Sequence, residues 1–540
     1  ADISPMLYGV FFEEINHSGE GGLYGELLEN RSFEDKRMPE GYSVKDGRLI
    51  PPVYMNYGTG QPSNCNYPWT EEEVPGWKLI CKDNASAEMH TTTDNPHFDT
   101  APTTLRVQVT DVDNGVCLTN TGFKDIGFRL ERQADYRLRI IVRSNSRKPL
   151  TIRLINDDGN SIASARIRLR GDNRWQDERI IIKASERCYH ARLAIDIPEK
   201  GEYWFDYVSL FPTDTYKKRE NGMRRDVAMM IDSLHPRFVR WPGGCVVEGI
   251  TLSNRFDWKK TLGDPAARSG EYISWGYRNS YGFGYKEFLD FCEDLGAKAM
   301  YVCNVGMACT GNTGEVCKEE DVEGFIQDAL DAIEYAIGDT ATIWGALRCK
   351  EGHPAPYPLE YVEIGNENFG PIYERRYNQF YKAIKARYPQ LTLISDYGVD
   401  GNLSAEHLAM VDPHWYVEPE RFFRDAYLFD SFDREKNKYK VYIGEYACND
   451  GVGTGNMLAA LSEASFLTGV ERNSDVVRMA SYAPLFERQG DRAWPVNLIW
   501  ISNEQVVGRS SYYVQKMFAN NVADYNLKTD IQIRSETEHE

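Results

Sequence analysis

Apolar positions recur with two different periods along this chain, and the changes of period divide it. Between roughly Phe33 and Pro212 the apolar runs are short, and several alternate apolar with polar residues: 76 to 81, 104 to 110, 136 to 144, 149 to 155, 178 to 183, 191 to 197 and 203 to 211. Gly, Asn, Asp and Pro fill the gaps and no helical period intervenes, which predicts an antiparallel β-sandwich. After Lys217 short apolar runs alternate with amphipathic helices. The pattern predicts strands at 236 to 244, 298 to 306, 359 to 367, 391 to 398, 410 to 416, 441 to 446 and 475 to 485. Helices are predicted at 284 to 295, 320 to 337, 372 to 387, 456 to 469 and about 507 to 519. Such alternation implies a parallel sheet with right-handed crossovers. Seven strands leave a closed barrel one short, and LYGVFFEE at 7 to 14 supplies the eighth.

The expected fold is therefore α/β, a (β/α)8 TIM barrel interrupted after its first strand by an all-β module. Residues 1–34 carry the first barrel strand, 35–213 the inserted sandwich and 214–520 the remainder of the barrel. Residues 521–540 turn polar and strand-like again, as a short C-terminal β segment or the start of a C-terminal β domain. Domain joins fall near Phe33 to Tyr42 and Thr213 to Asn221, where charged and glycine-containing stretches interrupt the strands.

Composition narrows the function more than the fold. The chain has 540 residues, 42% hydrophobic and 26% charged, ordinary values that leave ample apolar material for large cores. No apolar stretch approaches the length of a membrane span. Net charge is −19 and basic residues form no stripe, so neither nucleic acid nor a membrane is an expected partner, whereas a neutral polymer such as a polysaccharide is acceptable. The first residue is Ala1 rather than Met, which suits removal of a signal peptide and a secreted or periplasmic protein, or equally a trimmed chain. Eleven cysteines, an odd number scattered through the predicted elements, do not make a small disulfide scaffold.

The chemistry is carried by two strings. YVEIGNENFG at 361 to 370 and KVYIGEYACN at 440 to 449 each run an apolar strand through a glycine into a glutamate, Glu367 and Glu445. A parallel barrel gathers the residues that finish its strands at one rim, so the fourth and seventh strands can face these carboxylates across a common pocket. The glycine lets the strand end bend. Breaking a glycosidic bond needs such a pair, one carboxyl protonated near the leaving oxygen and one ionised near the anomeric carbon, and needs no cofactor. Asn366, beside Glu367, could hold the sugar 2-hydroxyl. His414 and Tyr416, two apart on one strand, would point the same way, toward the barrel mouth.

Six ordered strings then identify the chain as similar to glycoside hydrolase family 51, the α-L-arabinofuranosidases, over nearly its whole length. They are 7 to 34, RFVRWPGGCVVEG at 237 to 249, YVEIGNENFG, DPHWYVEP at 412 to 419, YIGEYA at 442 to 447 and RNSDVVRMASYAPLF at 472 to 486. By that resemblance Glu367 is the general acid/base and Glu445 the nucleophile of a retaining double displacement. Glu13 holds furanose hydroxyls, Cys245 lines the sugar pocket, and Tyr416 contacts sugar or nucleophile. Asn304, Trp494 and Asn497 are further expected pocket walls. The inserted module resembles the carbohydrate-binding-type sandwich that some members carry at this place. The implied activity is exo-acting release of terminal α-L-arabinofuranosyl units from arabinan, arabinoxylan or their oligosaccharides, with no metal or other cofactor and with a homo-oligomer possible. Two departures stand out. Family members usually end in a substantial β-sandwich, whereas about twenty residues follow the last barrel helix here, and the family's outer substrate contacts align poorly in VVRMASYAPLF.

Rival chemistries lack their motifs. GVGTG at 451 to 455 brings its third glycine one residue early for a dinucleotide loop, and H-E-x-x-H, paired C-x-x-C and G-x-S-x-G are absent. Two alternatives keep the fold and change the function: an endo-β-glucanase using the same carboxylate pair, and a sugar-binding protein that works through its sandwich without catalysis.

Overall fold

The computed structural model describes residues 2–396, 407–527 and 529. Eight parallel strand positions close a barrel: Tyr8–Phe11, Phe238–Trp241, Lys298–Cys303, Leu359–Ile364, Thr392–Ser395, Met410–Val411, Lys440–Cys448 and Val477–Tyr482. Each pairs in parallel with its neighbours, and the ring closes where Tyr8 and Val10 of the first strand register with Ala480 and Tyr482 of the last. The long crossovers carry helices Tyr285–Leu295, Val322–Ile337, Gly370–Arg387 and Met457–Arg472, with Ser510–Asn520 after the last strand.

The sixth strand departs from the continuous run expected at 410 to 416. Asp412 and Pro413 split it into Met410–Val411 and His414–Val417, and both pieces pair with the seventh strand. A proline cannot donate to a ladder, so a break at this point is where the sequence would put one. The end of the expected fifth strand, 397 and 398, lies outside the described residues.

Period two along the strands builds the barrel interior in layers. Phe238, Met300, Tyr361, Ile394, Met410, Tyr442 and Met479, one from each of seven strands, form a buried cluster capped by Met6. Gly9 completes it by absence, since a Cβ there would lie 2.4 Å from the Phe238 ring. Two residues further along their strands, Arg240, Glu363 and Asp412 replace this apolar layer by a charged one, each of them fully or almost fully buried. The mouth of the barrel is thus floored by charge.

The inserted module is two packed antiparallel sheets. One runs Gln176–Lys183, Asp135–Ser144, Gly201–Pro212, Thr104–Asp111, Ser86–Thr92. The other runs Ser161–Ile167, Leu150–Ile155, Cys188–Ile197, Val116–Asn120, Trp77–Cys81, with Phe128–Leu130 beside Cys188–Ile197. Leu105, Leu138, Ile140, Ile152, Leu154 and Phe205 help fill the space between. Strands at 86 to 92, 116 to 120, 128 to 130 and 161 to 167 are additional to those expected. A further small sheet, Phe486–Arg488, Ile499–Ile501 and Val506–Gly508, follows the last barrel strand. Of the C-terminal segment, Tyr525 bridges Asp2 and the Asp524 carbonyl accepts from the Ile3 amide; 528 and 530 to 540 lie outside the described residues.

Candidate active site

Glu445, expected at the end of a strand over 441 to 446, lies inside a longer one. The seventh strand runs on to Cys448, and Glu445 is paired with His414 inside it. Its register against the eighth strand slips between Ile443 and Tyr446, an irregularity that re-aims the side chain. Gly444 is needed for contact rather than for bending, because a Cβ there would meet Asp412 Oδ2 at 2.1 Å, and its amide donates to Asp412 Oδ1. At the fourth strand the expectation holds. Gly365 has φ +88° and Glu367 itself has φ +49°, a conformation a glutamate rarely adopts, so the turn is held by its surroundings.

The two carboxylates come together. One oxygen of Glu367, one of Glu445 and a ring nitrogen of His414 all lie within 4.8 Å of one another. Glu445 accepts from Arg240 Nη1 at 2.8 Å and from the Tyr416 hydroxyl at 2.6 Å. Arg240 is fully buried, lies over the Phe11 ring and also donates to Glu363 and to Asn366 Oδ1. His414 places Nδ1 2.7 Å from Glu367 Oε1 and Nε2 3.3 Å from Asp412. Both ring nitrogens therefore face carboxylates, and a doubly protonated ring satisfies both.

Electrostatics separates the two glutamates' neighbourhoods. Burial disfavours charge on His414, but Glu445, Asp412 and Glu367 outweigh it and raise its pKa well above 6.5. Burial would likewise raise the Glu367 carboxyl, and the hydrogen bond and charge of His414 bring it below the usual range instead. The hydrogen bond therefore joins a more basic His414 to a more acidic Glu367, and its proton is drawn toward the imidazole. Glu13 is pushed well up, by burial and then by the charge of Glu445.

Around this core the expected residues divide into those that reach the carboxylates and those that brace the surrounding loops. Glu13 Oε1 accepts from Trp275 Nε1 at 2.9 Å and from the Val246 amide at 3.2 Å. A Cβ at Gly244, which has φ +55°, would come within 2.2 Å of the Glu13 carboxyl, so the Pro-Gly-Gly turn exists to let it in. Tyr416 packs on Trp494, and Trp494 on Trp275, making an aromatic wall. Asn366 gives its oxygen to Arg240 and one amide hydrogen to Glu248. Cys245 rests against Cys309. Asn304 and Asn497 are struts: Asn304 donates to the Val247 and Glu248 carbonyls and accepts from Gly306, while Asn497 joins Asn16, Glu487 and the Trp494 carbonyl.

Arg240, Asp412, Glu363, Glu248 and Trp275 were not singled out from sequence, though the first three carried a signal. A charge at an inward position of a barrel strand, as in FVRW or YVEI, has no reason to be there except a buried partner. Glu367, His414 and Glu445 also have the mutual spacing of metal ligands. Both His414 nitrogens are engaged with carboxylates, which favours a hydrogen-bond network over coordination.

A family model described as the α-L-arabinofuranosidase 1 domain matches residues 230–434, and one described as the α-L-arabinofuranosidase C-terminal domain matches 444–540, beginning inside the strand that carries Glu445. An extracellular exo-α-L-arabinofuranosidase of Streptomyces chartreusis is 35% identical over 97% of this chain, which spans 60% of that protein's length. α-L-Arabinofuranosidase 1 of Arabidopsis thaliana is 36% identical over 96% of this chain and 72% of its own. An arabinose-bound structure of a family 51 α-L-arabinofuranosidase superposes with TM-score 0.83 at 29% identity, covering 97% of this chain and 81% of that one. A closed barrel with paired glutamates at its fourth and seventh strands, matched end to end by these relatives, places the chain among the α-L-arabinofuranosidases of glycoside hydrolase family 51.

Proposed function

We propose that this chain removes terminal α-L-arabinofuranosyl units from arabinan, arabinoxylan or their oligosaccharides, with retention of configuration. The observation that carries the reading is the approach of Glu367 and Glu445 oxygens to within 4.8 Å. Retaining glycosidases hold their carboxyl groups about 5 to 5.5 Å apart, while inverting ones leave about 6.5 to 9.5 Å for a water. Glu445, oriented by Arg240 and Tyr416, attacks the anomeric carbon. The leaving oxygen takes the proton held between Glu367 and His414, and a glycosyl ester of Glu445 results. Glu367, now a base, removes a proton from water as that water attacks the same carbon, and Glu445 is released.

The residues around the pair supply what a furanose needs. The remaining amide hydrogen of Asn366 and the indole N–H of Trp494, buried and without a partner among the described residues, are donors for hydroxyls. Glu13, pushed toward its neutral form, can donate as well as accept. Action on a polymer outside the cell fits the Streptomyces relative's description as extracellular, and no helix of the described residues is long and apolar enough to cross a membrane.

The test is hydrolysis of p-nitrophenyl furanosides and pyranosides by the protein and by Glu367→Ala and Glu445→Ala. Turnover on the α-L-arabinofuranoside alone, lost by several orders of magnitude in both variants, is expected. Azide should restore Glu445→Ala with inverted product, and near-normal activity in either variant would remove these roles.

A further inference from the structure

Two thiols stand just past the ends of the second and third barrel strands, beside the carboxylate site. Cys245 is in the short helix Gly244–Glu248 that follows the second strand, and Cys309 is in the loop after the third. Their sulfurs are 3.1 Å apart. Cys245 is half-buried and so open to a small reagent, whereas Cys309 is buried. The contact polarises the pair: Cys309 is drawn below the ordinary thiol value chiefly by its hydrogen bond with Cys245, and Cys245 is pushed well up by the same hydrogen bond and by burial. Two thiols in sulfur-to-sulfur contact, one acidified by the other, are an arrangement from which a dithiol can undergo exchange.

Glu248, one helical turn after Cys245, completes a triad with the spacing of metal ligands. Its carboxylate is already committed, accepting from Asn366 Nδ2 at 3.2 Å and Asn368 Nδ2 at 3.0 Å. Coordination would take it from the two asparagines that flank Glu367. The sulfurs are better partners for each other.

We propose that Cys245 and Cys309 form a reversible disulfide, by exchange with a low-molecular-weight disulfide, and that closing it weakens sugar binding. The Cys245 sulfur attacks one sulfur of the reagent, and the departing thiolate takes up the Cys245 proton. The Cys309 sulfur then attacks Cys245, breaks the mixed disulfide and releases the second reagent thiol with the second proton. Two thiols are oxidised and one small disulfide is reduced. A bond of about 2.0 Å asks the sulfurs to approach by about 1 Å more. Cys245 adjoins Val246, whose amide donates to Glu13, so this movement pulls a donor away from the residue expected to hold the furanose.

The experiment treats the purified protein with glutathione disulfide and maps its peptides without reduction, alongside KM and kcat on an aryl arabinofuranoside. A Cys245–Cys309 cross-linked peptide is expected, with KM raised several-fold, kcat nearly unchanged and both effects reversed by dithiothreitol. In Cys309→Ser the cross-link cannot form and Cys245 should retain a glutathione adduct; in Cys245→Ser neither should appear and KM should be indifferent to the reagent. Absence of the cross-link, or a cross-link that leaves KM unmoved, would overturn the proposal. The peptide map reads the bond whether or not the substrate assignment holds.

Discussion

Arg240 is the residue on which the catalytic layer depends. It is fully buried and its guanidinium reaches Glu363, Glu445 and Asn366, with Asp412 at 3.8 Å. Removing one partner of a buried ionic cluster strands the others, at about 3–5 kcal/mol. Arg240→Ala should therefore unfold at markedly lower denaturant and lose turnover together, and a variant of native stability would show that the cluster balances without it. Tyr416 is the opposite kind of residue, since its hydroxyl serves Glu445 while its ring keeps packing on Trp494. Tyr416→Phe should keep stability and lower kcat by roughly 10²-fold, the usual range for one preorganised donor. The proton on the His414–Glu367 bond gives the third test. His414 has its pKa raised, so its contribution to stability is full below its unfolded value of 6.5 and fades as pH rises through the raised one. Glu367 has its pKa lowered, so its contribution is present above its unfolded value of 4.5 and fades as pH falls through the lowered one. Stability lost in His414→Ala should thus be greatest between those limits, and the alkaline limb of kcat/KM should move to lower pH because Glu367 alone must keep the proton. An unmoved limb would assign the proton elsewhere.

At the scale of elements, what the sequence disclosed depended on how local the cause was. The eight barrel strands and the long helices were legible because apolar period and helical period are written in consecutive residues. The strand Ser86–Thr92 is mostly polar and half-exposed, and its alternation is only Ala87 and Met89, too short to read, so its place is set by the edge that Thr104–Asp111 offers. The site shows the same division. Glu367 and Glu445 could be placed from their strings, whereas Trp275 reaches Glu13 from a loop 262 positions away and left no mark in either neighbourhood. Gly444 illustrates a reading that named the right residue for the wrong reason. A bend would tolerate alanine, but contact would not, with the added carbon 2.1 Å from Asp412 in a packed strand. Gly444→Ala should cost about 1–3 kcal/mol, the range for overpacking, and also displace Asp412 from His414. Chemical denaturation would read the first effect and the pH–rate profile the second.

Across the whole molecule, barrel and sandwich share their chain so closely that neither boundary is a clean cut. The segment leading out of the first strand puts Leu23 and Tyr24 into the barrel core and then Leu28 and Phe33 into the sandwich core, while the returning strand gives Phe211 back to the barrel. Between them Glu26, buried, accepts from Ser209 Oγ and the Leu210 amide, and Arg31, also buried, pairs with Glu26 at 3.5 Å and lies over Tyr207. Arg139 of the sandwich binds Asp264 of the barrel side through two hydrogen bonds. Excising 35–213 would leave Leu28 and Phe33 without a core and would take Ser209 and Leu210 from Glu26 and Tyr207 from Arg31, exposing apolar surface and stripping buried polar groups of partners. The excised chain should accumulate as aggregate and show no arabinofuranosidase activity in its soluble fraction. Were it soluble, with a cooperative thermal transition near that of the full chain, the sandwich would be an ornament on a self-sufficient barrel, and the interlocked segments could not be what holds the catalytic end in register.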